Sequence, residues 1–233
     1  EPGFWDKLGH GIADAWGATG QWFKDHADLI KTIGDVLSLA GGVLGMLAIG
    51  PAVEVATVTL GNGVQGLLSA HLLPLVSLII EPAKILFLNN AINHGVLAPL
   101  GVSDAAETGK AIHFLLETNP GPGLGILVAC LLFGQQAMRA TAPAAIVIQF
   151  LGGIHEIYFP YVLAAPRLVL AAIAGGATGV FVFSITGAGL TATPSPGSII
   201  ALMAVTPKGG YVGVISGVFA AAVVSFVVAS LLL

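Results

Sequence analysis

The sequence predicts an all-α, polytopic membrane protein with about five to six transmembrane helices and two re-entrant hairpins. Of its 233 residues, 56% are hydrophobic and only 9% are charged, whereas a soluble domain carries about 25% charged residues. Short segments rich in proline, glycine or polar residues interrupt the apolar runs and divide the chain into separate helices. The composition therefore favours a membrane protein, and the lack of a basic patch argues against a nucleic-acid partner.

Residues 1–35 are more polar than the rest of the chain and carry six acidic and three basic residues. Their tryptophans, Trp5, Trp16 and Trp22, are spaced so that a helix would place them with other apolar residues on one face. The pattern predicts an amphipathic, Trp-rich helical segment that lies at a membrane interface or packs on a partner.

Candidate spans follow from apolar runs that are long enough to cross about 30 Å of hydrocarbon. They cover residues 36–60, the shorter run 64–80, the run ending near residue 133, and residues 143–163, 168–191 and 211–233. Between them, the polar residues 103–110 and 134–141 are predicted to be loops.

A shorter helix is predicted between Pro82 and Gly95, because proline suits the first position of a helix and glycine the residue after its end. About 13 residues give a length of ~20 Å, too short to cross a bilayer, so we expect one half of a re-entrant hairpin. On this helix, Asn89 would lie beside Asn93 and Asn90 beside His94, because residues four apart are neighbours on a helix surface. The two pairs adjoin and would form one polar stripe. The stripe is either a binding surface or a set of hydrogen bonds between helices.

Two segments rich in proline and glycine predict breaks. The first, Asn119-Pro120-Gly121-Pro122-Gly123, is either a discontinuous helix whose backbone meets a ligand or a plain surface loop. Glu117 and Asn119 beside the break favour the buried alternative, so both are substrate-binding candidates. The second, Pro194-Ser195-Pro196-Gly197-Ser198, precedes a helix of about eight residues and predicts the second re-entrant hairpin.

The polar stretch at residues 152–160 is the central feature of the sequence, because it places an imidazole, a carboxylate and a phenol in apolar surroundings. A carboxylate at membrane depth costs a few kcal/mol or more, so it normally lines a cavity or has a partner. Glu156 is therefore predicted to have a functional role, as a residue that lines a cavity. The alternative is an ion pair with Lys84 or Arg167 that only holds helices together.

Four motifs together resemble one family. They run from Glu81-Pro82-Ala83-Lys84 to Asn93-His94-Gly95, and over residues 117–123, 152–160 and 194–198, within an unbroken match over residues 49–233. On these residues the chain is similar to the mannitol-specific membrane component (enzyme IIC) of the bacterial phosphoenolpyruvate-dependent sugar phosphotransferase system. Residues 36–233 would then be the substrate-binding half of a membrane transport domain. Residues 1–35, which stand where the family has earlier helices, would come from a fusion.

The resemblance implies a substrate, a site and partners. Substrate-binding residues would be Asn89, Asn90, Asn93, His94, His155 and Glu156, and Glu156 would be catalytic by orienting the reacting hydroxyl. The substrate would be mannitol or a similar polyol, and the phosphoryl donor a phosphorylated enzyme IIB domain. The family also implies contact with membrane lipid, a homodimer and a multi-pass location in the bacterial inner membrane. No cofactor and no metal ligand are predicted.

Two other functions stay open: a non-transporting anchor or pore module of a fused protein, and an ion-coupled polyol carrier. An anchor has no need for the polar stripe together with Glu156, and a carrier would import polyol without phosphorylating it. Cys130 lies among apolar residues, so it is not expected to be the phosphorylated cysteine that the family carries on a soluble domain. The chain is therefore not expected to be catalytic alone.

Overall fold

The computed structural model describes residues 27–45, 50–70, 72–88 and 92–233, together with Gln21, Asp25 and Leu47. The chain divides into two compact units, Glu1–Val55 and Ala56–Leu233. Most of the predicted Trp-rich segment lies outside the described residues, and its end begins the first helix.

The described residues form helices joined by short turns, with no strand among them. The helices are α1 (Ala27–Leu44), α2 (Gly50–Ser69), α3 (Ser77–Ile85), α4 (Ala98–Thr108), α5 (His113–Thr118), α6 (Gly121–Phe133), α7 (Gln136–Ile146), α8 (Phe159–Ala164), α9 (Val169–Thr186), α10 (Ile199–Ala204) and α11 (Tyr211–Leu232). Short 3₁₀ helices cover Leu73–Val76, His155–Tyr158 and Pro166–Leu168, and π-helical turns cover Asn93–Leu97 and Val147–Leu151. The predicted all-α class is confirmed.

Three helical stretches in the described part of the chain are long and apolar enough to cross a membrane. They are His113–Phe133, Pro166–Thr186 and Tyr211–Leu232, which correspond to α5 with α6, to α9 with its preceding turn, and to α11. Each has 21 or 22 residues, and about 20 apolar residues are enough to cross the hydrocarbon core. The higher count of spans and the two re-entrant hairpins stay predictions.

Helices α6, α9 and α11 pack closely through small side chains. A Cβ atom on Gly121 would lie 2.7 Å from the Cβ of Ala221, and one on Gly175 would lie 2.7 Å from the Cβ of Ser225. The Ser225 hydroxyl also donates to the carbonyl oxygen of Pro122 at 2.8 Å. Small residues at such interfaces let helix backbones approach each other in membranes, where hydrophobic burial does not drive helix association.

The predicted break after Glu117 interrupts the first of these stretches. Helix α5 ends at Thr118 and α6 begins at Gly121, with Asn119 and Pro120 between them. Both residues at the break are buried. The break is therefore a discontinuity inside the helical protein and not a surface loop.

The predicted helix from Pro82 to Gly95 is wrong at both ends. Pro82 lies inside α3, which ends at Ile85, and Gly95 lies in a π-helical turn that continues into α4. Between them Phe87 has a φ of 60°, a left-handed conformation that interrupts a helix. Proline inside a helix removes one backbone hydrogen bond, and burial of apolar side chains on α3, including Ile80 and Ile85, offsets that loss.

The predicted loops are also shorter than expected. Residues 103–108 belong to α4, which ends before Gly109 with its φ of 80°, and α7 already begins at Gln136. Glycine in a left-handed conformation is a common helix terminator. The polar side chains of Ser103 and Glu107 are exposed on α4. The polar residues in this segment therefore indicated an exposed face of a helix and not a loop.

Candidate functional site

A polar cavity of about 190 Å³ lies in the unit Ala56–Leu233. Its walls come from four segments that are far apart in the sequence. They contribute two carboxylates, two imidazoles, an amide and three hydroxyls, from Asn93, His94, Glu117, Thr118, Gly153, His155, Glu156, Thr193, Pro194, Ser195, Pro196 and Gly197. Each of the four motifs that carry the family resemblance therefore supplies one wall.

The first wall is the turn that carries His155 and Glu156. It follows Gly153, whose φ is 76°, a conformation that residues with a Cβ rarely adopt. A Cβ on Gly153 would also lie 2.5 Å from the backbone nitrogen of Ser198, so glycine is required for close approach to the opposite loop. This approach sets the position of the 3₁₀ helix His155–Tyr158, which presents both side chains to the cavity.

His155 ties this turn to the opposite wall. Its Nε2 atom donates to the carbonyl oxygen of Gly197 at 2.9 Å, because a carbonyl oxygen can only accept. A Cβ on Gly197 would lie 3.1 Å from the same nitrogen. The hydrogen bond to Gly197 fixes the orientation of the imidazole, and the ring also lines the cavity.

The opposite wall, residues 193–197, was not among the predicted site residues. It leads to Ser198, whose side-chain oxygen accepts from the backbone N–H of Ala201 at 3.0 Å and caps α10. The bond between Ser195 and Pro196 is cis. The sequence signal was present, since the proline–glycine segment was one of the family motifs, but it was interpreted only as a hairpin.

Asn93 and His94 form the third wall, in the π-helical turn before α4. Asn93 is buried and His94 is exposed. Asn89 and Asn90 lie outside the described residues. The polar stripe is thus described only in its second half, and that half lines the cavity.

Glu117 and Thr118 form the last wall at the end of α5, and both are buried. The neighbouring Asn119 is 3% exposed and is not among the residues that line the cavity. Its Oδ1 accepts from the backbone N–H of Gly121 at 2.9 Å, so it satisfies the first backbone N–H of α6 in a local turn. Contact between Asn119 and a substrate stays a prediction, whereas its position at the break is a structural role.

Gln149 is a residue that the sequence reasoning missed. Its side chain is fully buried, and Nε2 donates to the carbonyl oxygen of Pro120 at 2.9 Å. That carbonyl also accepts from the backbone N–H of Leu124 at 3.1 Å, so Gln149 adds a second hydrogen bond at the start of α6. A lone amide in an apolar run was the available signal, since a buried polar group needs a partner.

The two cations considered as partners of Glu156 are engaged elsewhere. Lys84 Nζ lies 3.0 Å from Glu81 Oε1, and Arg167 Nη2 donates to the carbonyl oxygen of Leu233 at 3.2 Å. Glu156 itself is half-buried and lines the cavity. These contacts therefore do not support the alternative in which Glu156 forms a structural ion pair with Lys84 or Arg167.

The fold and the cavity define a class: a helical protein with helices long and apolar enough to cross a membrane and with a polar cavity among its described residues. No group of three His, Cys, Asp or Glu side chains in the described segments could hold a metal ion. The donor set instead combines carboxylate, imidazole and amide groups, which can both accept from and donate to hydroxyls.

Comparison with known proteins identifies relatives that are named as mannitol-specific components of the PTS system. The chain is 60% identical over 198 residues to the PTS system mannitol-specific EIICB component of Geobacillus stearothermophilus, covering 84% of this chain and 42% of the relative. It is 57% identical to the EIICB component of Bacillus subtilis strain 168, over 85% of this chain and 41% of the relative. It is 50% identical over 231 residues to the EIICBA component of Escherichia coli K12, over 93% of this chain and 36% of the relative.

These relatives confirm the resemblance to the mannitol-specific membrane component that the motifs predicted. The chain spans less than half the length of each of them. No protein-family model matches the chain, and no solved structure matches it.

Proposed function

We propose that the chain is the substrate-binding part of a mannitol transporter of the bacterial phosphotransferase system. It would carry mannitol across the inner membrane, coupled to phosphorylation by a phosphorylated enzyme IIB domain. The observation that carries the proposal is the polar cavity, in which Glu117, His155 and Glu156 meet inside an apolar helical protein. The names of the relatives favour this function over a fused anchor or an ion-coupled carrier.

The chemistry of the cavity suits a sugar alcohol. Each hydroxyl of a polyol donates one hydrogen bond and accepts two, and the cavity offers acceptors at Glu117 and Glu156 and donors at Asn93. Hydrogen bonds to an ionised carboxylate are about twice as strong as neutral ones. A buried polar group left without a partner is costly, so a polyol with a misplaced hydroxyl would be rejected.

Glu156 would act in phosphorylation by positioning. Phosphoryl transfer depends mainly on alignment of the accepting hydroxyl and on electrostatic stabilisation. A carboxylate that accepts a hydrogen bond from that hydroxyl holds its oxygen in line with the incoming phosphoryl group. The donor would be the phosphorylated enzyme IIB domain, in keeping with the EIICB and EIICBA names of the relatives.

The proposal includes a multi-pass topology with five to six spans, two re-entrant hairpins and a homodimer. Support for the hairpins comes from the short helices of the two predicted hairpin segments, since α3 has nine residues and α10 has six and neither could cross a bilayer. Non-helical backbone at membrane depth is tolerated where it is buried in protein or lines a cavity, and residues 193–197 do line one.

Transport into membrane vesicles tests the proposed function. Labelled mannitol would be added to vesicles containing the chain, with either phosphorylated or unphosphorylated enzyme IIB. The labelled compound that accumulates inside the vesicles would then be identified as mannitol or mannitol phosphate. Mannitol phosphate that requires the phosphorylated donor supports the proposal. Accumulation of unmodified mannitol would favour an ion-coupled carrier, and neither binding nor uptake would favour a fused anchor.

A further inference from the structure

Gln149 connects two walls of the cavity, although it is not among the residues that line it. Its side chain is fully buried, and Nε2 donates to the carbonyl oxygen of Pro120 at 2.9 Å. Pro120 follows the last wall, Glu117 and Thr118, with one residue between them. The main chain of Gln149 is bonded to the first wall, because its carbonyl oxygen accepts from the backbone N–H of Gly153 at 3.0 Å. The side chain therefore joins the segment before one wall to the segment after another.

The start of α6 contacts the first wall at both of its ends. A Cβ on Gly123 would lie 2.8 Å from Gln149 Nε2 and 2.6 Å from Tyr158 Cδ1. Gln149 precedes the turn, and Tyr158 is the last residue of the 3₁₀ helix His155–Tyr158. Glycine is needed at position 123 because the helix backbone approaches both side chains closely. The first wall is thus packed against the break, and the hydrogen bond from Gln149 is the directional part of this contact.

Stability alone does not explain an amide at this position. Gln149 Oε1 is buried and has no hydrogen-bond partner among the described residues, and an unsatisfied buried acceptor costs more than a typical hydrogen bond returns. The carbonyl oxygen of Pro120 already accepts from the backbone N–H of Leu124 at 3.1 Å, so it does not need the amide. A buried polar group that adds no stability to the fold calls for another explanation.

We propose that Gln149 is a positioning residue for the polyol site. Its amide sets the separation between the wall that carries His155 and Glu156 and the wall that carries Glu117. Hydrogen bonds form only within a narrow range of distances and angles, so this separation decides which hydroxyls of a polyol reach both carboxylates. Gln149 therefore acts on affinity and on the choice between stereoisomers. The inference rests on the proposed function, because its readout is polyol binding.

The test removes the donor and keeps the shape of the side chain, in the variant Gln149→Met. The carbonyl oxygen of Pro120 keeps its bond from Leu124, so the variant is expected to fold. Affinities for mannitol and for a stereoisomeric hexitol are measured with thermal unfolding on the same detergent preparation of the full chain. We expect mannitol affinity to fall about tenfold or more and the affinity for the stereoisomer to fall less. Equal losses for the two polyols would overturn the inference.

Ser225→Ala is the matched control. The Ser225 hydroxyl donates to the carbonyl oxygen of Pro122 at 2.8 Å, so this variant also removes a buried side-chain hydrogen bond at the start of α6. Ser225 lies on α11, and no residue of that helix lines the cavity. We expect the two variants to unfold at similar temperatures and only Gln149→Met to lose affinity. If the amide served only helix packing, the two variants would bind mannitol equally well, and that result would overturn the inference.

The outcomes separate this inference from the proposed function. Unchanged affinity and selectivity in Gln149→Met, with a wild-type chain that binds mannitol, overturn only the positioning role. A wild-type chain that binds no mannitol overturns the proposed function and this inference with it. If Gln149→Met does not fold, Gln149→Asn is the milder variant, since it keeps the amide and shortens its reach by one methylene group; wild-type affinity there would also overturn the inference.

Discussion

Replacing Gly153 by alanine tests how the cavity is built. The residue has a φ of 76°, and a side chain in this left-handed region costs about 1–2 kcal/mol. The added Cβ would lie 2.5 Å from the Ser198 nitrogen and 2.9 Å from the Gly197 carbonyl carbon, and overpacking of this kind costs about 1–3 kcal/mol. Together these effects give about 2–5 kcal/mol. The backbone atoms cannot move aside alone, so the two cavity walls must separate.

Gly109→Ala is the matched control. Gly109 has a similar φ of 80°, and no neighbouring atom lies within 4 Å of its hypothetical Cβ. It carries the backbone cost without the steric one, and it does not line the cavity. We expect Gly109→Ala to lose about 1–2 kcal/mol of stability and no mannitol affinity. Gly153→Ala should lose more stability and at least tenfold in affinity, measured by calorimetric titration and thermal unfolding.

The reasoning is refuted if the two alanine variants behave alike. Equal melting temperatures and wild-type affinity in Gly153→Ala would mean that the approach of the two walls does not shape the site. If Gly153→Ala does not fold, Gly197→Ala perturbs the same contact more gently, because its Cβ would meet the His155 ring at 3.1 Å. Wild-type affinity in that variant would lead to the same conclusion.

Three further substitutions have distinct expected results. Glu156→Gln removes a charge-assisted hydrogen bond worth about 1.5–3 kcal/mol, so mannitol affinity should fall roughly ten- to a hundredfold; early melting with normal binding would show a structural role instead. Pro120→Ala/Pro122→Ala should straighten the break between α5 and α6 and weaken binding, and an unchanged dissociation constant would contradict this. Cys130→Ser should leave donor-dependent phosphorylation of mannitol intact, because this buried thiol is not the phosphoryl carrier; lost activity in a folded variant would overturn that assignment.

The break at Asn119 shows what the sequence could predict. Prolines and glycines within an apolar run are incompatible with a regular helix for local, steric reasons, so the discontinuity was visible without any tertiary information. The acidic Glu117 beside it could be expected at a cavity because an ionised group in apolar surroundings needs a polar neighbour. Local chemistry therefore located this part of the site.

The region from Pro82 to Gly95 shows where local rules fail. Proline at a helix start and glycine after its end are only statistical preferences. A proline inside a helix costs about 3 kcal/mol, and tertiary burial of α3 outweighs that cost. The wall at residues 193–197 was missed for a different reason. Its role depends on the contact between His155 and Gly197, 42 residues apart, and no periodicity in the sequence reports such a contact.

The central claim is that the cavity binds mannitol, and equilibrium binding to the purified chain tests it most directly. Labelled mannitol would be titrated against the chain in detergent, with a stereoisomeric hexitol as competitor and Glu156→Gln as the site control. The cavity predicts saturable binding at one site per chain, weaker competition by the stereoisomer and a loss of at least tenfold in the variant. Absence of saturable binding, or equal affinity in Glu156→Gln, would contradict the account.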